Sequence, residues 1–152
     1  MESKKELTVR DIIEICEGKL VCGDKEVALN NFCQDTRMIK QDDVYVGIKG
    51  ENHNGNDMYE KALENGAKVC ILQDIDIPEY IKEKYYDRSI VIVKNTIYAL
   101  QELAKYKRSM YDIPVVAITG SVGKTSTKDI VASVMAKKFN VLKTEGNYNS
   151  QL

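Results

Sequence analysis

The residues whose types and spacing could do chemistry lie late in the chain, where an apolar β-branched run at 115–118 ends at a glycine-containing turn. The turn closes on Gly-Lys-Thr, and a helical pattern follows at once. Glycines let backbone N–H groups converge on phosphate oxygens, and a helix N-terminus adds partial positive charge. The pattern therefore predicts a phosphate-binding loop, whose residues are Gly120, Ser121, Val122, Gly123, Lys124, Thr125 and Ser126.

Two side chains of this loop have predicted roles. Lys124 would supply a mobile positive charge for the outer phosphates, and the Thr125 hydroxyl would take a magnesium position. The common pattern GxxxxGK[ST] places a glycine where this chain has Ile118, so the loop has the shorter spacing GxxGKT. A chance Gly-Lys-Thr in a surface loop is the alternative, but the predicted strand before it and helix after it favour a phosphate site.

A second group of polar residues follows a predicted strand near the start of the chain. Asp35, Thr36 and Arg37 would form either a solvated turn or a set of donors for an anionic ligand, and spacing alone leaves both open. The polar loop at 50–56 also follows a predicted strand, and loops at strand ends commonly contact ligands.

Composition limits the possible partners. The 152 residues are 43% hydrophobic and carry 22 basic against 23 acidic side chains, so neither a nucleic-acid nor a membrane surface is predicted. The N-terminus has no apolar leader, and the expected compartment is cytoplasmic. The four cysteines form no CxxC pair and are expected to be reduced, and the single histidine, His53, does not indicate a metal site.

Apolar periodicity predicts the elements that position these residues. A helix should begin at Thr8 and end at Gly18, strands at 19–22 and 27–33 should be joined by a turn at Gly23 and Asp24, and a longer helix should start at Thr96. Between these, the pattern predicts strands at 43–49, 69–72 and 90–93 and helices at 57–65 and after Pro78. The alternation predicts an α/β fold.

The last part of the chain should form one βαβ unit over residues 115–144, with strands at 115–118 and 141–142. One such unit cannot bury both faces of a parallel sheet, and a P-loop domain takes a second magnesium-binding acid from a later strand. The sequence is therefore expected to be the N-terminal part of a longer protein, inactive by itself.

The loop at 119–125 resembles that of the Mur ligase superfamily, which includes the folylpolyglutamate synthetases. The similarity extends to Lys128, Asp129 and the motif Lys-Thr-x-Gly-Asn-x-Asn at 143–149. It also extends back through Asp35, Thr36 and Arg37 and through segments 44–50 and 66–67, and so covers almost the whole chain. The resemblance implies a small α/β UDP-sugar-binding domain at 1–94, followed at 95–152 by the start of an ATP-binding central domain of P-loop NTPase type with a parallel sheet.

The resemblance also implies an activity. The most similar branch of the superfamily uses ATP and Mg²⁺ to join D-alanyl-D-alanine to UDP-N-acetylmuramoyl-tripeptide through an acyl phosphate, in peptidoglycan synthesis. Lys124 and Thr125 would then be catalytic, with Thr125 on Mg²⁺. Asp35, Thr36 and Arg37 would hold the uridine nucleotide, and Asn147 and Asn149 would lie near the phosphate cleft or simply form a turn. The expected protein is a monomer without nucleic-acid or membrane partners.

Two departures and two alternatives accompany this resemblance. Asn54, Gly55, Asn56 and Met58 stand where the family has Asp, Gly, His and an aromatic residue, and Asp129 stands where a glutamate is more usual. One alternative is a sister ligase that adds another amino acid to the muramoyl peptide, or glutamate to folate. The other is a P-loop nucleotide-binding module without ligase chemistry.

Overall fold

A computed structural model describes residues 6–51 and 53–145. By its contacts the chain forms two units, Met1–Tyr111 and Asp112–Leu152. The first unit contains the whole of a five-stranded sheet, and the second contains one long helix. The predicted α/β class is therefore confirmed, and the first unit is where its layers are built.

The sheet of the first unit has the strand order β1-β5-β4-β3-β2. Its strands are β1 Lys19–Cys22, β2 Phe32–Cys33, β3 Val44–Val46, β4 Val69–Leu72 and β5 Ser89–Ile92. Strands β2 to β5 are parallel, and β1 pairs antiparallel with β5 at one edge. The carboxyl ends of β2 and β3 therefore lie side by side, which brings the segments after them together.

Helices cover both faces of this sheet. They are α1 Val9–Ile15, α2 Tyr59–Glu64, α3 Glu79–Lys84 and α4 Thr96–Ser109, with short 3-10 turns at Thr36–Met38 and Gly55–Met58. Strand residues alternate between two cores. One core joins strand residues such as Val44, Val69 and Val91 to α1 and α4 through side chains that include Ile12 and Leu103. The other joins the intervening residues to α2 and α3, through Tyr45, Cys70, Leu72, Ile90, Leu63 and Ile81.

The start of α1 follows from its sequence. Thr8 is the N-cap, and its backbone N–H donates to Asp11 Oδ2 at 2.7 Å, which completes a capping box. The helix ends at Ile15, earlier than Gly18, because Glu17 takes a left-handed φ of 52°. The helix and its N-cap are thus confirmed, while its predicted end lies too late.

The predicted hairpin between residues 19–22 and 27–33 is wrong. β1 and β2 lie at opposite edges of the sheet. The turn at Asp24 is tied to β5, because Asp24 N–H donates to Ser89 Oγ at 3.1 Å and Ser89 Oγ donates to Asp24 O at 2.9 Å. Only Phe32–Cys33 of the predicted second strand joins the sheet, since Leu29 instead donates its N–H to Leu7 O at 2.7 Å.

The second unit contains α5, Lys124–Met135, preceded by the glycine loop. The described residues 112–145 contain no strand, so the predicted strands at 115–118 and 141–142 and their βαβ unit are not formed. A strand exists only through hydrogen bonds to a neighbour, and these two runs do not pair with each other. Val115, Val116 and Leu142 are correspondingly exposed, with Leu142 97% accessible.

Helix α4 packs with the first unit. Ala99 and Leu103 are 1% exposed and belong to the same core as α1. The contacts therefore divide the chain after Tyr111, whereas the sequence-based boundary was drawn at 94/95. The assignment of the two parts to substrate and ATP binding stays a prediction. In the described ranges 6–51 and 53–145, no helix is long and apolar enough to cross a membrane.

Candidate functional site

The predicted phosphate loop turns sharply at its two glycines. Gly120 has φ 150° and Gly123 has φ 80°, and Gly123 is the N-cap of α5. L-residues with a Cβ rarely adopt such φ values, so the loop needs glycine at both positions. A Cβ built on Gly123 would meet no atom within 4 Å, so the requirement there comes from the backbone conformation alone.

The lysine of the loop folds back over it. Lys124 Nζ donates to Gly120 O at 2.5 Å, which holds the ammonium beside the turn. The N-cap of α5 is Gly123, which has no side chain to accept from the first-turn N–H groups. Thr125 and Ser126 follow in this first turn, and Val122 is 92% exposed. The chain thus brings residues 120–126 into one loop and helix start, the arrangement that binds phosphate oxygens in other proteins.

Two stretches that resemble the family motif touch each other beside α5. Lys143 Nζ donates to Asp129 Oδ1 at 2.7 Å, and Lys128 Nζ donates to Thr144 O at 2.6 Å. The hydrogen bond from Lys143 lowers the pKa of the Asp129 carboxyl. Asp129 therefore stays ionised and, with Lys128, ties segment 143–144 to the first half of the helix. Asn147 and Asn149 lie outside the described residues.

The other predicted site residues line a cleft in the first unit. This cleft of about 370 Å³ lies where the segments following β2 and β3 meet. Asp35, Thr36 and Arg37 come from the first of these segments, and His53 and Gly55 from the second. The full lining is Gln34, Asp35, Thr36, Arg37, Tyr45, His53, Gly55, Met58 and Lys61. The sequence-predicted group thus sits at a concave surface, as a ligand site requires.

Asp35 and Arg37 form a locked pair at this cleft. Asp35 caps the 3-10 turn by accepting from Arg37 N–H at 3.0 Å, and Asp35 Oδ2 also accepts from the Arg37 guanidinium at 2.6 Å. These hydrogen bonds from Arg37 lower the pKa of the Asp35 carboxyl to about 2. Thr36 is buried, and its carbonyl accepts from Asn65 Nδ2 at 2.8 Å. The three residues therefore form a capped turn that lines the cleft, and their role as donors for an anionic ligand stays a prediction.

A buried amide fixes the loop on the opposite side of the cleft. Asn56 is fully buried, and its Oδ1 accepts from Gln73 N–H at 2.8 Å while its Nδ2 donates to Asn54 Oδ1 at 2.7 Å. The side chain packs closely on Gly47, where a Cβ would lie 2.8 Å from Asn56 Oδ1. Asn56 therefore points into the protein and positions the loop that carries His53 and Gly55.

The tyrosine at the base of the cleft also holds this loop. Tyr45 Oη donates to Gly55 O at 2.6 Å. Burial raises the pKa of Tyr45 to about 12, so the hydroxyl remains a donor near neutral pH. The loop is thereby held through a main-chain carbonyl as well as through Asn56.

The sequence did not indicate Tyr45 or Lys61 as cleft residues. Tyr45 lies in a strand whose pattern marks it only as core, and Lys61 lies on a helix whose charged residues look solvated. Both reach the cleft through the packing of α2 against the sheet, a long-range arrangement. For His53 the sequence gives one indication that it could line a ligand site, namely its position in a polar loop after a strand.

Comparison with known proteins finds similarity to Mur ligases along the chain. Residues 118–152 match the model of the Mur ligase middle domain. The chain is 33% identical over 153 residues to the UDP-N-acetylmuramoyl-tripeptide--D-alanyl-D-alanine ligase of Synechocystis sp., covering 100% of this chain and 33% of that protein. It is 32% identical to the Bacillus subtilis ligase of the same name, covering 95% of this chain and 31% of that protein. The chain thus spans about a third of the length of these curated relatives.

Solved structures agree in fold. MurF ligase from Thermotoga maritima in complex with ADP superposes with a TM-score of 0.68 and 33% identity, covering 80% of this chain and 27% of that one. A MurF structure from Acinetobacter baumannii gives a TM-score of 0.79 at 24% identity, covering 94% of this chain and 30% of that one. The second likeness shows the fold alone. Together these matches confirm the resemblance on which the sequence-based family prediction depends.

Proposed function

We propose, from the premise that this chain is a Mur ligase sequence of the MurF type, that it forms the N-terminal part of an ATP-dependent amide ligase. The reaction would join D-alanyl-D-alanine to UDP-N-acetylmuramoyl-tripeptide through an acyl phosphate. The observation that carries the proposal is the glycine turn at the start of α5 with Lys124 folded over it. The relatives of that name are about three times as long, so the activity is proposed for the longer protein.

The second unit would bind ATP. Its fit to a nucleotide phosphate rests on the first turn of α5, whose N-cap Gly123 has no side chain to accept from the N–H groups, and on the ammonium of Lys124. Phosphoryl transfer needs positive charge placed where negative charge develops, and Lys124 with the helix N-terminus would supply it. Thr125, in the same turn, is the hydroxyl that would hold Mg²⁺, an ion that neutralises phosphate charge when bound.

The first unit would bind the UDP-linked substrate. Its cleft offers Asp35 and Arg37 from one side and the loop of His53 and Gly55 from the other. Hydrogen-bond donors and acceptors together suit a uracil ring with its ribose, and basic side chains suit the attached diphosphate. Because the substrate is a soluble nucleotide-linked precursor, we propose a cytoplasmic location and no membrane partner.

The experiment is phosphate release by the complete gene product with ATP, Mg²⁺ and UDP-N-acetylmuramoyl-tripeptide, with and without D-alanyl-D-alanine. Release should depend on the dipeptide and fall at least about a hundredfold in Lys124→Ala, because a charge that stabilises the transition state is lost. Lys137→Ala, which removes an exposed lysine just past α5, is the matched control and should keep full activity. Release without any dipeptide would indicate a plain NTPase.

A sister ligase is the second candidate. The chain is also 26% identical over 147 residues to the UDP-N-acetylmuramoyl-L-alanyl-D-glutamate--2,6-diaminopimelate ligase of Clostridium tetani, covering 93% of this chain and 30% of that protein. Replacing the two substrates in the same assay by UDP-N-acetylmuramoyl-L-alanyl-D-glutamate and 2,6-diaminopimelate separates the two reactions. Turnover with only UDP-N-acetylmuramoyl-L-alanyl-D-glutamate and 2,6-diaminopimelate would indicate that the protein is a ligase of the diaminopimelate-adding type.

A further inference from the structure

Lys61 is the one charged residue of the 370 Å³ cleft whose charge is not already neutralised by a described neighbour. The cleft contains two other residues with full charges, Asp35 and Arg37, and these pair with each other at 2.6 Å. Among residues 6–51 and 53–145, no acidic side chain forms an ion pair with Lys61. Lys61 therefore brings to the cleft a positive charge that no described acidic side chain pairs with.

The two acidic side chains of α2 have other partners. Glu60 Oε1 accepts from Tyr80 Oη at 3.3 Å, and Glu64 pairs with Lys84 at 3.8 Å. A lysine ammonium on an exposed stem can turn toward a ligand at low cost, since it gives up no ion pair. Arg37, by contrast, would have to leave its carboxylate before it could pair with an anion.

We infer that Lys61 binds the diphosphate of the UDP-linked substrate in this cleft. The inference rests on the proposed function and extends it to a residue that the family resemblance did not indicate. In this arrangement the Asp35–Arg37 pair shapes the cleft without contributing net charge, and Lys61 supplies the attraction. A neutral nucleoside would gain nothing from Lys61, whereas a diphosphate would gain a charge-assisted hydrogen bond.

The test measures the Kd of UDP by isothermal titration calorimetry on the complete gene product. Lys61→Met keeps most of the length of the side chain without its charge and should raise the Kd about tenfold, while Lys61→Arg should stay within about twofold. Lys25→Met is the matched control. Lys25 is exposed and follows β1 near the start of β5, at the sheet edge opposite the cleft, and its loss should leave the Kd unchanged.

Each outcome has one meaning. If wild-type protein binds UDP and Lys61→Met binds it equally well, the inference about Lys61 fails while the proposed function stands. If Lys61→Arg binds as weakly as Lys61→Met, charge is not the cause and the inference also fails. If the wild-type protein does not bind UDP at all, the proposed substrate cleft fails together with the inference. Thermal unfolding of each variant, expected to match the wild type because Lys61 is exposed, excludes misfolding as the cause.

Discussion

Replacing Asn56 with alanine should destabilise the first unit much more than an ordinary loop substitution. Asn56 is fully buried and makes two side-chain hydrogen bonds, from Gln73 N–H at 2.8 Å and to Asn54 Oδ1 at 2.7 Å. Without it the buried Gln73 N–H has no acceptor, which costs about 1–3 kcal/mol. With the lost packing, we expect the free energy of unfolding to fall by about 2–3 kcal/mol.

Urea unfolding of the segment 1–111 would measure this change, because the whole sheet and both cores lie within it. The sequence has no tryptophan, so far-ultraviolet circular dichroism is the appropriate signal. Asn30→Ala is the matched control: Asn30 is exposed, its Nδ2 donates to Asp42 O at 3.2 Å, and its loss should cost under about 0.5 kcal/mol. Equal unfolding free energies for the two variants would refute the argument that Asn56 holds the cleft loop.

Two further predictions concern the loop glycine and the cleft carboxylate. Gly123→Ala should weaken ATP binding by the complete gene product about tenfold, since a left-handed φ of 80° costs alanine about 1–2 kcal/mol. Gly123→Asn, which tolerates that φ better, should lose less, and equal losses would point to something other than backbone strain. The pKa of Asp35 should be about 2 by carboxyl NMR and should return toward 3.8 in Arg37→Ala. Because folding lowers this pKa, the pair stabilises the fold above pH 3.8, and that contribution is lost as the pH falls toward 2. If the midpoint of the Asp35 titration is unchanged in Arg37→Ala, the pairing is contradicted.

Buried parallel strands were the elements that the sequence predicted best. Val69–Leu72 was expected with the same bounds, because a strand covered on both faces is apolar at every position. The capping box at Thr8 and the start of α4 at Thr96 were also predictable, since both depend on residues only a few positions apart. Local chemistry therefore predicts where these elements begin.

Strand partners could not be predicted in the same way. The turn at Gly23 and Asp24 has the composition of a hairpin, yet Ser89 binds it from 65 positions along the chain. The runs at 115–118 and 141–142 have strand-like residues, but forming a ladder requires a neighbour that composition does not specify. The residue pattern thus indicates that a segment tends to form a strand, but the rest of the fold determines which strand it pairs with.

The residues of the candidate sites also differ in how far the sequence could predict them. The glycine loop and Asp35, Thr36 and Arg37 were predictable because each is a contiguous group whose chemistry is visible in the sequence. Lys61 and Tyr45 were not, because they reach the cleft only when α2 packs on the sheet. The role of Asn56 was also hidden, since its amide is buried inside the protein and accepts from Gln73 N–H.

The strand order β1-β5-β4-β3-β2 also determines the order in which the strands can pair during synthesis. β2, β3 and β4 can pair as they are synthesised, since each meets a neighbour that is close along the chain. β1 is the first of the five strands to be made, but in the sheet as described it pairs with β5, where Lys19 lies opposite Ile92. On the ribosome, β1 must therefore wait with its hydrogen-bonding edge open until about 70 more residues have emerged. The docking of β1 on β5 is therefore expected to follow the pairing of β2, β3 and β4.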